Sequence, residues 1–160
     1  MDKTFKNERL TYKLNIVAQG AITANDAIFF RETGCHIRDL RVLRLIDDTP
    51  GTTFAEIAKI TGFERSLTSR ILQNLIGSGL IVRENSTEDA RMFLLFTTDK
   101  GKEIRQVARQ LSDRLEVILT DPLSMQELRA FNEILQRLGS WVTSEDYRTA
   151  LGAEVNQSSS

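Results

Sequence analysis

From Leu10 to about Arg31, the apolar positions Leu14, Val17, Ala18, Ala21 and Ile22 recur at steps of three and four, which is the spacing of one helix face. Gly34 stops that helix. A second follows, with Leu40, Leu43 and Ile46 on its inner face, and Asp47-Asp48-Thr49-Pro50-Gly51 reads as a turn. Thr53-Phe54-Ala55-Glu56 has the form of a capping box, in which the hydroxyl takes one orphan N–H and the carboxylate reaches back to another. It opens a short helix carrying Ile57 and Ala58 that ends at Thr61-Gly62. A third begins near Glu64, with Thr68, Ile71, Leu72 and Leu75 facing inward, and closes at Gly77-Ser78-Gly79.

The period then changes. Leu80-Ile81-Val82-Arg83 and Met92-Phe93-Leu94-Leu95-Phe96 are rich in β-formers and flank a charged link from Glu84 to Arg91, which predicts a hairpin with a polar tip. Thr98 can cap the next helix, whose Ile104, Val107, Leu111, Leu115 and Ile118 form an apolar stripe. Ser124-Met125-Gln126-Glu127 is a second capping box, opening a helix with Leu128, Phe131, Leu135, Leu138 and Trp141 inward. After Ser144 the chain thins into Gln157-Ser158-Ser159-Ser160 and reads as a flexible tail. The expected fold is mostly α. A winged helix-turn-helix over 36–97 stands between an N-terminal dimerisation helix, 1–35, and C-terminal dimerisation helices, 98–144, with the tail over 145–160.

The helix, turn, helix, hairpin order between Thr53 and Phe96 gives the module its expected chemistry. The second helix of the pair would pack one face on the module and present the other to the major groove of double-stranded DNA. With Thr68, Ile71, Leu72 and Leu75 inward, the outer face shows Arg65, Ser66, Ser69, Arg70 and Gln73. Arginine can pair bidentately with guanine, glutamine with adenine, and serine with base or phosphate. Arg91 at the hairpin tip is a cationic probe for the minor groove or the backbone.

Composition narrows the alternatives. Of 160 residues, 41% are apolar and 27% charged, an ordinary globular mixture, and the net charge of −1 means that any basic surface must be local. The one cysteine, Cys35, excludes an intramolecular disulfide and fits a cytoplasmic setting as inert packing. The one histidine, His36, cannot by itself build a metal site, and no cofactor motif appears. The segment Met1 to Leu10 is unlike a signal peptide, and no apolar run approaches the roughly 20 residues of a membrane span. Phosphate loops, zinc helices and nucleophile elbows are missing, so an enzyme is not expected. The alternative is a winged-helix protein-interaction scaffold that does not touch DNA.

Asp89-Ala90-Arg91, followed by Thr98-Asp99-Lys100-Gly101, resembles the wing signature of the MarR family of transcription regulators. Phe54 to Ala58 with Gly62 resembles that family's first helix of the pair. Ser66 through Leu75, running into Gly79-Leu80-Ile81, resembles its recognition helix and first wing strand, and Arg41 to Ile46 resembles the preceding helix. The resemblance spans roughly Leu10 to Val142. It implies a homodimer held by the first and last two helices, and a repressor released by a small-molecule effector. It also implies that Asp89 orients Arg91. The chain departs from the pattern at Glu64, where a Ser or Asp cap is common, at Thr97 for a leucine, and at Thr68 for an aliphatic residue.

An effector pocket is expected where the dimerisation helices meet the winged module, in segments that carry Tyr12, Asn15, Gln19, His36 and Arg38. Family members that sense aromatic carboxylates often carry an arginine in the first helix, whereas this chain has only Lys13 between Leu10 and Gly20.

Overall fold

The computed structural model describes residues 9–86 and 92–157. Its helices and strands run α1 (Leu10–Thr33), α2 (Ile37–Asp48), β1 (Thr52–Thr53), α3 (Phe54–Thr61), α4 (Arg65–Gly77), β2 (Ile81–Asn85), β3 (Phe93–Thr97), α5 (Asp99–Thr120), α6 (Met125–Val142) and α7 (Glu145–Gln157). The chain divides into two compact units, 1–116 and 117–160, so α1 and most of α5 belong to the unit that contains the winged module.

In the first unit, local signals set the helix ends. Gly34, at φ +71°, closes α1 with its N–H on Phe30 O at 2.8 Å, a conformation glycine adopts without Cβ strain. Thr53 Oγ1 accepts the Glu56 N–H at 3.3 Å, while Glu56 Oε2 accepts the Thr53 N–H at 2.8 Å, completing the expected capping box. The donated N–H and the hydroxyls of Thr53 and Thr52 hold the Glu56 carboxyl below its usual range. A lowered carboxyl pKa stabilises the folded state above the ordinary carboxylate range, and that support fades as pH falls through the folded-state value. Thr53→Ala should cost about 1 kcal/mol of stability. A denaturant titration at neutral pH checks this, and a shift much below that would mean water replaces the cap.

The core of this unit gathers Val42, Leu43 and Ile46 of α2, Ile57 of α3, Ile71, Leu72 and Leu75 of α4, and Leu80, Ile81 and Leu95 of the wing. Thr68 also turns fully inward, where its hydroxyl donates to Glu64 O at 3.1 Å. That hydrogen bond lets a polar side chain occupy an aliphatic position without an orphaned group. From α5, Ala108 and Leu111 join the core. On α1 only Phe29 and Thr33 are buried, whereas Val17, from the expected inner face, is 50% exposed.

The sheet has three strands in the order β1-β3-β2, all antiparallel, rather than a lone hairpin. Thr52 pairs with Leu95, and Gly51, at φ +83°, donates its N–H to Leu95 O at 2.9 Å. The turn therefore delivers two residues to the wing's edge before the capping box begins, which is too short a run for alternation to reveal.

The second unit holds the end of α5, α6 and α7. The box at α6 forms as expected, with Ser124 Oγ accepting the Glu127 N–H at 3.3 Å and Glu127 Oε2 accepting the Ser124 N–H at 2.8 Å. The flexible tail expected from 145 is instead helical as far as Gln157. Ser144 Oγ accepts the Tyr147 N–H at 3.1 Å, which starts α7, and Tyr147 meets Trp141 edge-on at 5.9 Å between ring centroids. A serine cap and one aromatic contact across the bend supply what the polar composition hid. No residue of α6 is buried.

Candidate nucleic-acid interface

Burial of Thr68, Ile71, Leu72 and Leu75 fixes the orientation of α4. At about 100° per residue, the side directly opposite carries Ser66, Arg70 and Gln73 in line. All three are exposed, Arg65 is exposed at the helix start, and Ser69 is half-buried at the edge of the face. The guanidinium of Arg65 lies over the Phe54 ring, 5.6 Å from its centroid, so α3 steadies it by a cation–π contact. Glu64 stands at the N-cap position with no side-chain cap bond, leaving the first amides of α4 open to an acceptor such as phosphate.

The wing is fastened to this helix through the Thr-x-x-Gly segment. Thr98 Oγ1 donates to Gly79 O at 2.7 Å and accepts the Gly101 N–H at 3.0 Å. Lys100 Nζ donates to Ser78 O at 2.8 Å. A Cβ at Gly101 would sit 2.1 Å from Leu80 O, so only glycine lets α5 lie this close to the start of β2. The threonine and glycine thus join the end of α4, the first wing strand and α5 in one knot.

Asp89 and Arg91 fall outside the described residues. Among the described wing residues, Arg83 on β2 is exposed with its guanidinium 4.8 Å from the Phe93 ring centroid. The sequence reading took it as strand only, because a single arginine in a β run carries no mark of its role.

Arg70 also faces a cleft of about 410 Å³ between α1, the start of α2 and α4. Gln19, His36 and Arg38 line it as well, while Tyr12 and Asn15 are exposed on α1 and do not. Asp26 organises its far wall by accepting the Ile37 N–H at 2.8 Å and bonding His36 Nδ1 at 2.7 Å. The Ile37 amide foremost, then His36, holds the Asp26 carboxyl below its ordinary range despite some desolvation. His36 is further stacked on Phe30, with ring centroids 4.7 Å apart. Asp39 is buried, and desolvation pushes its carboxyl up against the opposing pull of the His36 backbone N–H. Sequence reasoning missed both: nothing local marks Asp26, which bonds across a bend between helices, and Asp39 reads as an ordinary first-turn acid until packing buries it. Cys35 lies buried beside them, and burial, then the Asp39 charge, raises its thiol pKa.

A MarR family model matches residues 34–92, which is the winged module up to the second wing strand. An HTH-type transcriptional repressor of Mycobacterium tuberculosis is 21% identical over 131 residues, covering 82% of this chain and 91% of the repressor. A crystal structure of MarR superposes with a TM-score of 0.75 at 25% identity, covering 88% of this chain and 92% of that one. A MarR-family protein of Mycobacterium tuberculosis, in complex with p-aminosalicylic acid, is 20% identical and covers 82% of this chain and 99% of that one, with a TM-score of 0.71. Together with the outward face of α4 and the Thr98–Gly101 knot, these findings identify residues 34–92 as a winged module of the MarR type and the chain as a DNA-binding transcription regulator.

Proposed function

We propose that this regulator is a cytoplasmic, ligand-responsive repressor that grips a pseudo-palindromic duplex of roughly 20 base pairs as a homodimer, one α4 per half-site. The observation that carries the reading is the line Ser66, Arg70, Gln73 on the face of α4 opposite a fully packed one. Arg70 reads guanine, Gln73 adenine, and Ser66 and Ser69 take base or phosphate, while Arg65 lies at the backbone. Asp89 orients Arg91, which reaches the minor groove or the adjoining phosphates.

Arg70→Ala should lower operator affinity by about tenfold to a hundredfold and relax the preference at one base pair. Arg91→Ala should weaken binding evenly across sequences and flatten the salt dependence. Fragments selected from the host genome, titrated with each variant at matched salt, test both. Variants that bind like the parent would remove these residues from the interface, and a chain that ignores DNA at low salt would be a scaffold.

The exposed apolar residues of the second unit support the homodimer. Val117 and Ile118 are 68% and 70% exposed, and Phe131, Ile134, Trp141 and Leu151 are each exposed too. A helical unit with its apolar faces uncovered gains most from a second copy. The α1–α2–α4 cleft supports the effector reading, because Arg70 belongs both to its wall and to the reading face. A ligand held by Gln19, His36 and Arg38 would draw on the same guanidinium that DNA requires, with Tyr12 and Asn15 further along α1. The structural neighbour from Mycobacterium tuberculosis, solved with p-aminosalicylic acid and with salicylic acid, is consistent with an effector of some kind.

A further inference from the structure

Gly101, Arg105, Ala108 and Leu111 follow one another along α5 at steps of four, three and three, so they share one face of the helix. Gly101 lies against Leu80, Ala108 and Leu111 enter the core, and Arg105 stands between them. One of its amino groups donates to Asp47 and the other to Asp48, the last two residues of α2. Local rules do not favour two acids there. The carbonyl end of a helix attracts cations, and the last turn of α2 contains no basic residue. The compensating charge comes instead from 57 and 58 residues further along the chain.

This contact works against a load. Beside Phe29, Arg105 shares a cleft with three other guanidinium groups, Arg41 and Arg44 of α2 and Arg109 of α5. Those like charges repel one another across the two helices, and the aspartates hold the helices together. What the grip holds is the entry to the helix pair. Directly after Asp48 the chain turns at Gly51, pairs Thr52 with Leu95 and opens α3 with the Thr53 cap. Apolar contacts such as those of Ala108 and Leu111 are non-directional and tolerate small rotations, whereas a guanidinium fork on two carboxylates is directional. Gly101 alone would leave α5 a pivot. Arg105, about 6 Å further along the helix, supplies the second point that fixes its direction.

The geometry points to Arg105 as a positioning residue for operator binding: its grip on Asp47 and Asp48 sets the angle between α5 and the winged module, and with it the half-site spacing that the regulator accepts. In the homodimer reading, on which this assignment rests, α5 leads from each module into the helices that the two copies share. A swing of about 10° at Gly101 displaces the end of α5, roughly 29 Å on, by about 5 Å, which exceeds the rise of one base pair.

Titration of the full chain with spacing variants of its operator tests this. The operator selected from the host genome is compared with versions carrying one or two base pairs more or fewer at its centre, each pair adding about 3.4 Å and about 35° between half-sites. The parent should prefer one spacing strongly. Arg105→Gln should reduce that preference by about tenfold, the worth of one charge-assisted contact. Asp47→Asn with Asp48→Asn should do the same, and adding Arg105→Gln to that pair should change nothing more, since the groups act through one contact. Arg105→Lys keeps the charge without the fork, so it should lose several-fold of the preference and takes the place of Arg105→Gln if that variant is unstable. Sedimentation separates the two readings. A parent of single-chain mass ends the homodimer reading and the role of Arg105 with it, whereas a dimeric Arg105→Gln that discriminates spacings as the parent does overturns the role of Arg105 alone. An equal fall in affinity at every spacing, which a merely structural contact would give, or an additive loss in the triple variant overturns it too.

Discussion

Gly101→Ala is expected to lower the stability of the folded chain by about 3 kcal/mol, an overpacking penalty at the upper end of the usual range. The added Cβ would stand 2.1 Å from Leu80 O and 2.7 Å from Thr97 Cγ2. Neither neighbour is free to retreat. Leu80 O already accepts the Thr98 N–H at 3.0 Å and shares the Thr98 hydroxyl, at 3.1 Å, with Gly79 O, so it is pinned by the segment that carries the clash. Backbone must therefore move, parting α5 from the start of β2 and loosening the wing at its root. For a chain of this length the thermal midpoint should fall by roughly 6–12 °C, and operator affinity should fall with it. A urea titration and a DNA titration read the two effects, and a midpoint equal to the parent's would mean that α5 swings clear at little cost.

The second large effect is on assembly. Phe131→Glu on α6 should raise the dimer dissociation constant by at least about a hundredfold, because a carboxylate would have to leave water for an apolar contact. Phe131 is 43% exposed in the isolated chain, and glutamate suits an exposed helix position, so α6 itself should persist. Operator binding should drop steeply too, since two tethered modules engage paired half-sites with an effective concentration that one module lacks. Sedimentation at micromolar concentration reads the first change. If the parent chain sediments at the mass of one copy, the homodimer reading fails before the variant is made.

Much of the fold could be read from local rules. The capping boxes at Thr53 and Ser124 need only residues three apart, and both form as their spacing indicates. The inward face of α4 follows from four positions within two turns, and even Thr68 obeys that period because its hydroxyl can bond the preceding turn. Where no local rule applied, the reading missed. Thr52–Thr53 is a strand through its pairing with Leu94 and Leu95, and beyond Ser144 the polar composition masked a helix that a serine cap opens and the contact of Tyr147 with Trp141 supports.

The candidate sites divide along the same line. The outward residues of α4 belong to one helix, so their common orientation is a matter of helix period. The clefts are not. Asp26 meets His36 across a helix–helix bend, and Arg105 meets Asp47 and Asp48 from the far side of the winged module.

By itself, then, the order of residues determined the helices as far as Val142, the two capping boxes, the two long wing strands and which face of α4 looks outward, because each follows from a short-range pattern. Only the tertiary structure decided that Arg70 would border a cleft with Asp26 and Asp39, that four arginines would gather beside Phe29, and that Gly101 would touch Leu80. Those meetings depend on how helices stack, which is set by the packing of the whole core and leaves no periodic trace in the chain.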